Sequence, residues 1–229
     1  MIRWDEPGYV VAFTTRTGGV SEGPYASLNL GRSTGDDVER VDENRRRACA
    51  ELGVDVTALT VNRQIHSTLV KRASAGVQGE QGDGLVSNEP RLPMLALSAD
   101  CVPIALAARA GRRLAVLHAG WRGLAAGLVA AGASAVRDGS GAELVAVVGP
   151  SAGPCCYEVG EEVSERFDPD LTSGGRLDLW SAAERLLGAA GVVRVDRVDL
   201  CTICSPDLFF SHRRDGRPRG VQGVIGYVA

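Results

Sequence analysis

At 229 residues, 45% apolar and 23% charged, the chain has the composition of an ordinary soluble globular protein and length enough for one large core. Its formal net charge of −3, with the two signs interspersed, offers no basic surface for nucleic acid. Its apolar runs stop at about ten residues, well short of the ~20 that span a bilayer, so no membrane partner is expected. A single domain over residues 1–229 is therefore expected. The N-terminal MIRWDEPGYVVAF carries acidic residues where a secretory leader needs basic ones, so a cytoplasmic setting that keeps the six cysteines reduced is expected.

In chain order, Tyr9 to Arg16 reads as a strand and Thr17 to Leu30 as a Gly/Ser/Asn-rich loop. A helix fits Asp37 to Leu52, with Asp36 as N-cap and Gly53 as its stop. Strand-like runs follow at Leu59 to Ile65, Leu69 to Arg72, Met94 to Ser98, Ile104 to Ala107 and Leu114 to Leu117. A helix fits Gly123 to Arg137, where Gly127 and Gly132 weaken propensity but permit close approach to a sheet. Leu144 to Val148 is a continuous apolar strand, followed by helices over Glu161 to Phe167 and Ser181 to Ala190, a strand over Val192 to Val198, and a loop running into a final strand. Without regular βαβ alternation, this pattern predicts an α+β fold built in layers.

Three residues remote in sequence, His66, Cys101 and His118, each sit inside a short apolar run capped by small and polar residues: VNRQIHS, LALSADCVP and AVLHAGWRG. Two imidazoles and a thiolate make a three-ligand site suited to zinc, with a fourth position for water or substrate. Their spacings, 34 and 16 intervening residues, match no short zinc-finger signature, and spacing alone leaves His118 equally open to the role of a core histidine. Asp100, beside Cys101 at a strand end, is a carboxylate that needs a partner; it is a candidate to orient a ligand or carry protons. Arg122, next to a predicted helix start after His118, suits an anion beside the metal. Only Lys71 among the 25 basic residues is a lysine, so Schiff-base chemistry would rest on one side chain.

The strings QIHS, ADCVP, HAGWRG, GPSAGPCCYEVG and FFSHRRDG, with the early TTRTGGVSEGPYASLNLG, resemble the YfiH or laccase-domain family, in the family's order from about residue 13 to 216. The resemblance implies a four-layer αββα sandwich related to the catalytic domain of cytotoxic necrotizing factors. It also implies metal ligation by His66, Cys101 and His118. The activity implied is that of zinc enzymes on purine nucleosides: phosphorolysis of adenosine, inosine and methylthioadenosine, and hydrolytic deamination of adenosine. The family also carries a polyphenol oxidase label and a description as a peptidoglycan editing factor.

Counting removes the oxidase reading. A laccase needs a blue-copper site and a three-copper cluster, and three histidines in the whole chain leave nothing to build the cluster, although copper is expected to outcompete zinc at this donor set in vitro. Nucleoside chemistry fits better, with Cys101, Asp100 and His118 as the catalytic group. Arg16, Arg122 and Arg214, with Arg213 as a neighbour of the last, are the candidates to bind phosphate. The partners expected are a nucleoside and phosphate, taken by a monomer. Amide hydrolysis on a cell-wall precursor, by zinc chemistry or a Cys101 nucleophile, is the rival. Cys155, Cys156, Cys201 and Cys204 are expected as buried structural thiols rather than a second zinc site, and His212 as an exposed loop residue. The segment RPRGVQG departs from the family's usual pattern, which leaves a substrate role for Arg217 or Arg219 open. Asn29 and Asn44 are expected to be structural.

Overall fold

A computed structural model of the chain describes residues 1–109 and 112–229. Its first half runs β1 (Ile2–Trp4), β2 (Tyr9–Phe13), α1 (Val38–Glu51), β3 (Thr60–Arg63), β4 (Val70–Arg72), β5 (Gln78–Gln81), β6 (Gly84–Ser87), β7 (Met94–Ser98) and β8 (Val102–Ala108). The second half runs β9 (Leu114–Ala119), α2 (Trp121–Ala126), α3 (Leu128–Arg137), β10 (Leu144–Val148), α4 (Glu161–Ser164), β11 (Thr172–Ser173), β12 (Arg176–Leu177), α5 (Leu179–Ala189), β13 (Val192–Arg197), α6 (His212–Asp215) and β14 (Gln222–Val228).

Twelve of the strands form two mixed six-stranded sheets, one ordered β1-β2-β14-β7-β3-β5 and the other β13-β10-β8-β9-β6-β4. Val11, Phe13, Met94, Ala96 and Val224 of the first sheet pack against Ala105, Ala107, Leu114, Val116, Val145 and Val147 of the second. The alternate residues of β8, β9 and β10, among them Ile104, Leu106, Leu117 and Ala146, turn to the other face and pack on α2, α3 and α5. The outer face of the first sheet, with Ala12, Leu95 and Ile225, is covered by Ala48, Cys49 and Leu52 of α1 and its C-terminal end. Strands covered on both faces need apolar residues at every position, and β8, β9 and β10 are apolar, apart from Pro103 and His118, and buried throughout.

The helix expected over Gly123 to Arg137 is two helices. Gly127 adopts φ 97°, a left-handed conformation that ends α2 and starts α3. Gly132 does bring α3 close to the sheet, since a Cβ there would sit 2.8 Å from a Leu117 methyl. The N-cap of α1 is Asp37 rather than Asp36: Asp37 accepts from the Glu39 N–H at 2.9 Å, while Asp36 is held by Ser21 and Asn29. The helix after Glu161 ends at Ser164, short of Phe167. Strand β5, QGEQ, is exposed at every position and carries no apolar alternation to announce it.

Gly127→Ala is expected to cost about 1–2 kcal/mol, because an L side chain resists positive φ. Gly188→Ala is expected to stabilise by about 0.5–1 kcal/mol, since that glycine is in α5 with nothing within 4 Å of a Cβ. Thermal or urea denaturation of the two variants checks the opposite signs.

Candidate metal centre

The site forms where strands of both sheets end. His66 follows β3, Cys101 lies in the turn between β7 and β8, and His118 is the penultimate residue of β9, opposite Pro103 of β8. The group that assembles them is Asp83, 1% exposed, in the turn leading into β6. Its Oδ2 accepts from the Ile65 and Ser67 N–H groups at 3.2 and 2.6 Å and from the Ser67 hydroxyl at 2.7 Å. Its Oδ1 accepts from the His66 N–H at 3.0 Å and from His118 Nδ1 at 2.9 Å. Asp83 therefore folds the 65–67 turn and fixes the ring of His118, leaving His118 Nε2 as the nitrogen that a cation takes in place of a proton. The carboxylate stays far below its usual range: burial raises it, but hydrogen bonds from His118 and Ser67 outweigh burial.

The donor atoms of His66, Cys101 and His118 all lie within 4.8 Å of one another, with Cys101 Sγ 3.9 Å from His66 Nε2. Tetrahedral zinc, with bonds of about 2.0–2.3 Å, separates its nitrogen and sulfur ligands by roughly 3.3–3.6 Å, so small side-chain rotations close the set around a cation. Gly120 sits directly over the donors: a Cβ there would lie 2.8 Å from His66 Cδ2 and 3.1 Å from Cys101 Sγ. The chain thus keeps side chains out of the space a metal needs. Burial opposes charge at both Cys101 and His118. Even so, the thiol is held down to about 6 by His118 and His66, and His118 is pushed up to about 9 by the thiolate and by Asp83. The donors fit a metal ion.

Above this floor opens a cleft of about 570 Å³. Trp121, Arg122 and Tyr157 line it, and so do His212, Arg213, Arg217 and Arg219 from the segment before β14. Arg122 lies over the Trp121 ring, 4.2 Å from its centre, and Arg213 over Tyr157 at 5.0 Å. His212 is exposed but belongs to the cleft. Arg219 is half-buried, bonds the Gly216 carbonyl at 3.2 Å through one terminal nitrogen, and has a buried Nε with no hydrogen-bond partner among the described residues.

Several expected assignments change. Arg214 is not in the cleft lining; it donates to the carbonyls of Thr202, Ile203 and Phe209 and to Asp215, so its fork is filled by structure. Arg16 also lies outside the lining, donating to the Ala26 and Pro206 carbonyls and stacking 4.5 Å from the Phe210 ring centre. Asp100, which does line the cleft, is an acceptor locked by three donors rather than a proton carrier: the Thr202 hydroxyl at 2.6 Å, the Ser211 hydroxyl at 3.0 Å and the Arg213 N–H at 2.7 Å. It anchors the segment that carries His212 and Arg213. Asn44 is structural as expected, donating to Ser21, Ser27 and Asn29. Asp83 escaped the sequence reading; its only signal is a carboxylate between two glycines at the mouth of a buried strand.

A family model described as multi-copper polyphenol oxidoreductase laccase matches residues 10–227. The chain belongs to that family. Purine nucleoside phosphorylase YfiH of Escherichia coli is 34% identical, with 93% of this chain and 92% of that protein covered. Purine nucleoside phosphorylase PA4543 of Pseudomonas aeruginosa is 37% identical, with the same shares covered. Among solved structures, YlmD from Geobacillus stearothermophilus superposes with a TM-score of 0.88 at 33% identity, covering 97% of this chain and 93% of that one. Neisseria meningitidis protein NMB0706 gives 0.88 at 32% identity, covering 99% and 98%. Like those solved proteins, this chain is a mixed α/β structure with two large sheets and few helices. Among the described residues no helix is long and apolar enough to cross a membrane.

Asp83→Asn is expected to weaken metal affinity about 10–100-fold, because an amide replaces one of the two acceptor oxygens with a donor facing N–H groups. Competition against a chelator of known affinity measures the loss; unchanged affinity would remove Asp83 from the metal centre.

Proposed function

We propose that the chain is a zinc-dependent purine nucleoside phosphorylase that converts adenosine, inosine and methylthioadenosine with phosphate to free base and sugar 1-phosphate. The same cleft is proposed to deaminate adenosine to inosine by hydrolysis. The observation that carries the reading is the gathering of Arg122, Arg213, Arg217 and Arg219 in the lining of a cleft whose floor is the metal triad. Guanidinium groups converging on one cleft suit an anion. The phosphorylase names of relatives at 34 and 37% identity support the substrate class. The nitrogen and sulfur donor set favours zinc, which when bound supplies Lewis acidity at the floor.

In phosphorolysis a phosphate oxygen bonds to the anomeric carbon as the bond from that carbon to the purine nitrogen breaks. The electron pair leaves with the purine, which takes up a proton. The chain's task is to hold two anions at different stages, phosphate before the step and purine during it. Arg219 and Arg217, in the cleft lining, are suited to grip phosphate, and Arg213 and Arg122 reach the cleft from aromatic faces that limit their motion. Asp100 acts here as a positioning residue, through the Arg213 backbone. The three cores also support reading the molecule as four layers, with α1 outside one sheet and α2, α3 and α5 outside the other.

Metal-loaded protein is to be incubated with adenosine or inosine, with and without phosphate, and separately with a uridine-diphosphate muramyl peptide. Free base and sugar phosphate should form only with phosphate, and inosine should form from adenosine without it. Turnover of the peptide with no base released would overturn the proposal in favour of cell-wall precursor editing. Arg219→Ala should lower kcat/KM for phosphate by about 10–100-fold at unchanged metal content, the worth of a hydrogen bond to a charged group. Arg214→Ala should appear in the melting temperature instead.

A further inference from the structure

Away from the cleft floor, the sulfur atoms of Cys155, Cys156, Cys201 and Cys204 all lie within 4.8 Å of one another. The sequence favoured buried, separate thiols. Instead Cys155 and Cys204 are exposed, Cys156 is half-buried and Cys201 is buried, and all four are free. The topology gathers them: β10 and β13 are parallel neighbours, so the loops leaving their C-terminal ends run side by side. Ser151 and Cys201 form a β-bridge between those loops, with the Thr202 N–H donating to the Ser151 carbonyl at 3.0 Å.

Vicinal cysteines ordinarily point apart, yet here both reach one point. A tight turn, in which the Cys156 and Tyr157 N–H groups both donate to the Gly153 carbonyl at 3.0 Å, brings Cys155 Sγ to 3.4 Å and Cys156 Sγ to 3.0 Å from Cys204 Sγ. Cys201 Sγ accepts the Gly153 N–H at 3.3 Å, a contact that favours the thiolate. Arg214, outside the cleft lining, bonds the Thr202 and Ile203 carbonyls at 2.7 and 3.1 Å and so fixes the C-x-x-C turn, its own charge paired with Asp215. Four clustered cysteine sulfurs, one of them accepting a backbone N–H, suit a soft divalent metal that displaces their protons.

We propose that Cys155, Cys156, Cys201 and Cys204 form a second metal site, a closed four-thiolate site for zinc that clips the β10 and β13 loops together. Binding replaces four S–H bonds by four S–Zn bonds and releases four protons, leaving a site of charge −2. With all four positions filled by protein, the site has no opening for substrate, and its role is structural. Thr202, inside the C-x-x-C, holds Asp100 at 2.6 Å, and Tyr157, next to Cys156, lines the cleft. The clip therefore steadies one wall of the cleft from behind.

Zinc per chain is to be measured by elemental analysis and native mass spectrometry on full-length protein purified under reducing conditions. Two equivalents are expected in the parent protein, one in Cys101→Ala, one in Cys204→Ser and none in the double variant. Cys155→Ser, at another exposed ligand, is the independent check should Cys204→Ser fail to fold. Cobalt loaded into Cys101→Ala should give intense thiolate-to-cobalt charge-transfer absorption that the second substitution abolishes. One equivalent in the parent, lost in Cys101→Ala but kept in Cys204→Ser, would overturn the proposal. So would recovery of the four cysteines as disulfides, seen as the loss of two hydrogens per pair, with no second metal. These readouts are independent of nucleoside turnover, so failure of the phosphorylase reading leaves this test intact.

Discussion

Asp83 is a carboxylate removed from water, and a buried charge survives only where donors surround it. Its oxygens take three backbone N–H groups, one hydroxyl and one imidazole, from a loop and from a strand that no local sequence pattern joins. The His118 N–H also donates to the Asp83 backbone carbonyl at 2.7 Å, so the residue holds that strand by main chain and side chain together. Because each donor would be orphaned without it, one side chain couples the closure of the 65–67 turn, the register of β9 at the site and the tautomer of a ligand. The metal floor depends on that coupling more than on any contact among the three ligands.

Two residues at the site hold conformations that L side chains avoid: His66 at φ 58° and Asp100 at φ 86°. Each is over-determined by hydrogen bonds. His66 is pinned by its own N–H on Asp83, and Asp100 by its carbonyl, which accepts the Ala152 N–H at 2.9 Å, and by the three donors on its carboxylate. Strain of this kind persists where surrounding contacts outweigh it, and here it aims a ligand from one side and the residue before a ligand from the other. The floor and the arginine wall thus use the same device, a buried aspartate collecting donors from a remote loop.

The sequence exposed what periodicity and local chemistry can carry. Strands β7 and β10 lie where apolar runs predict them, and the ligand trio singled out in the sequence does converge. What failed to show is of two kinds. Gly127 breaks a helix by its φ, a property the glycine itself does not declare among other tolerated glycines. Arg16, Arg214 and Arg219 are alike as residues, and only the tertiary structure decides which guanidinium is filled by backbone carbonyls and which keeps a buried nitrogen free. Asp83 needs five donors that arrive from two distant segments, so its role lives in the fold and not in its neighbours.

The family description names an oxidase, and the ligand trio shows why such a name can attach to this architecture. Two histidines and a cysteine resemble the first coordination sphere of a blue-copper centre, but a cluster that reduces dioxygen needs many further imidazoles. The chain has one other histidine, His212, and it stands among arginines in the cleft rather than beside another copper ligand set. Electron transfer also gains from an enclosed, unyielding site, whereas this floor opens into a cleft of about 570 Å³ walled by guanidinium groups. A positive wall over a floor that could hold a metal ion attracts and orients anions, and it does nothing for an electron. The charge of that wall favours an anionic substrate, in keeping with the phosphorylase names of the relatives.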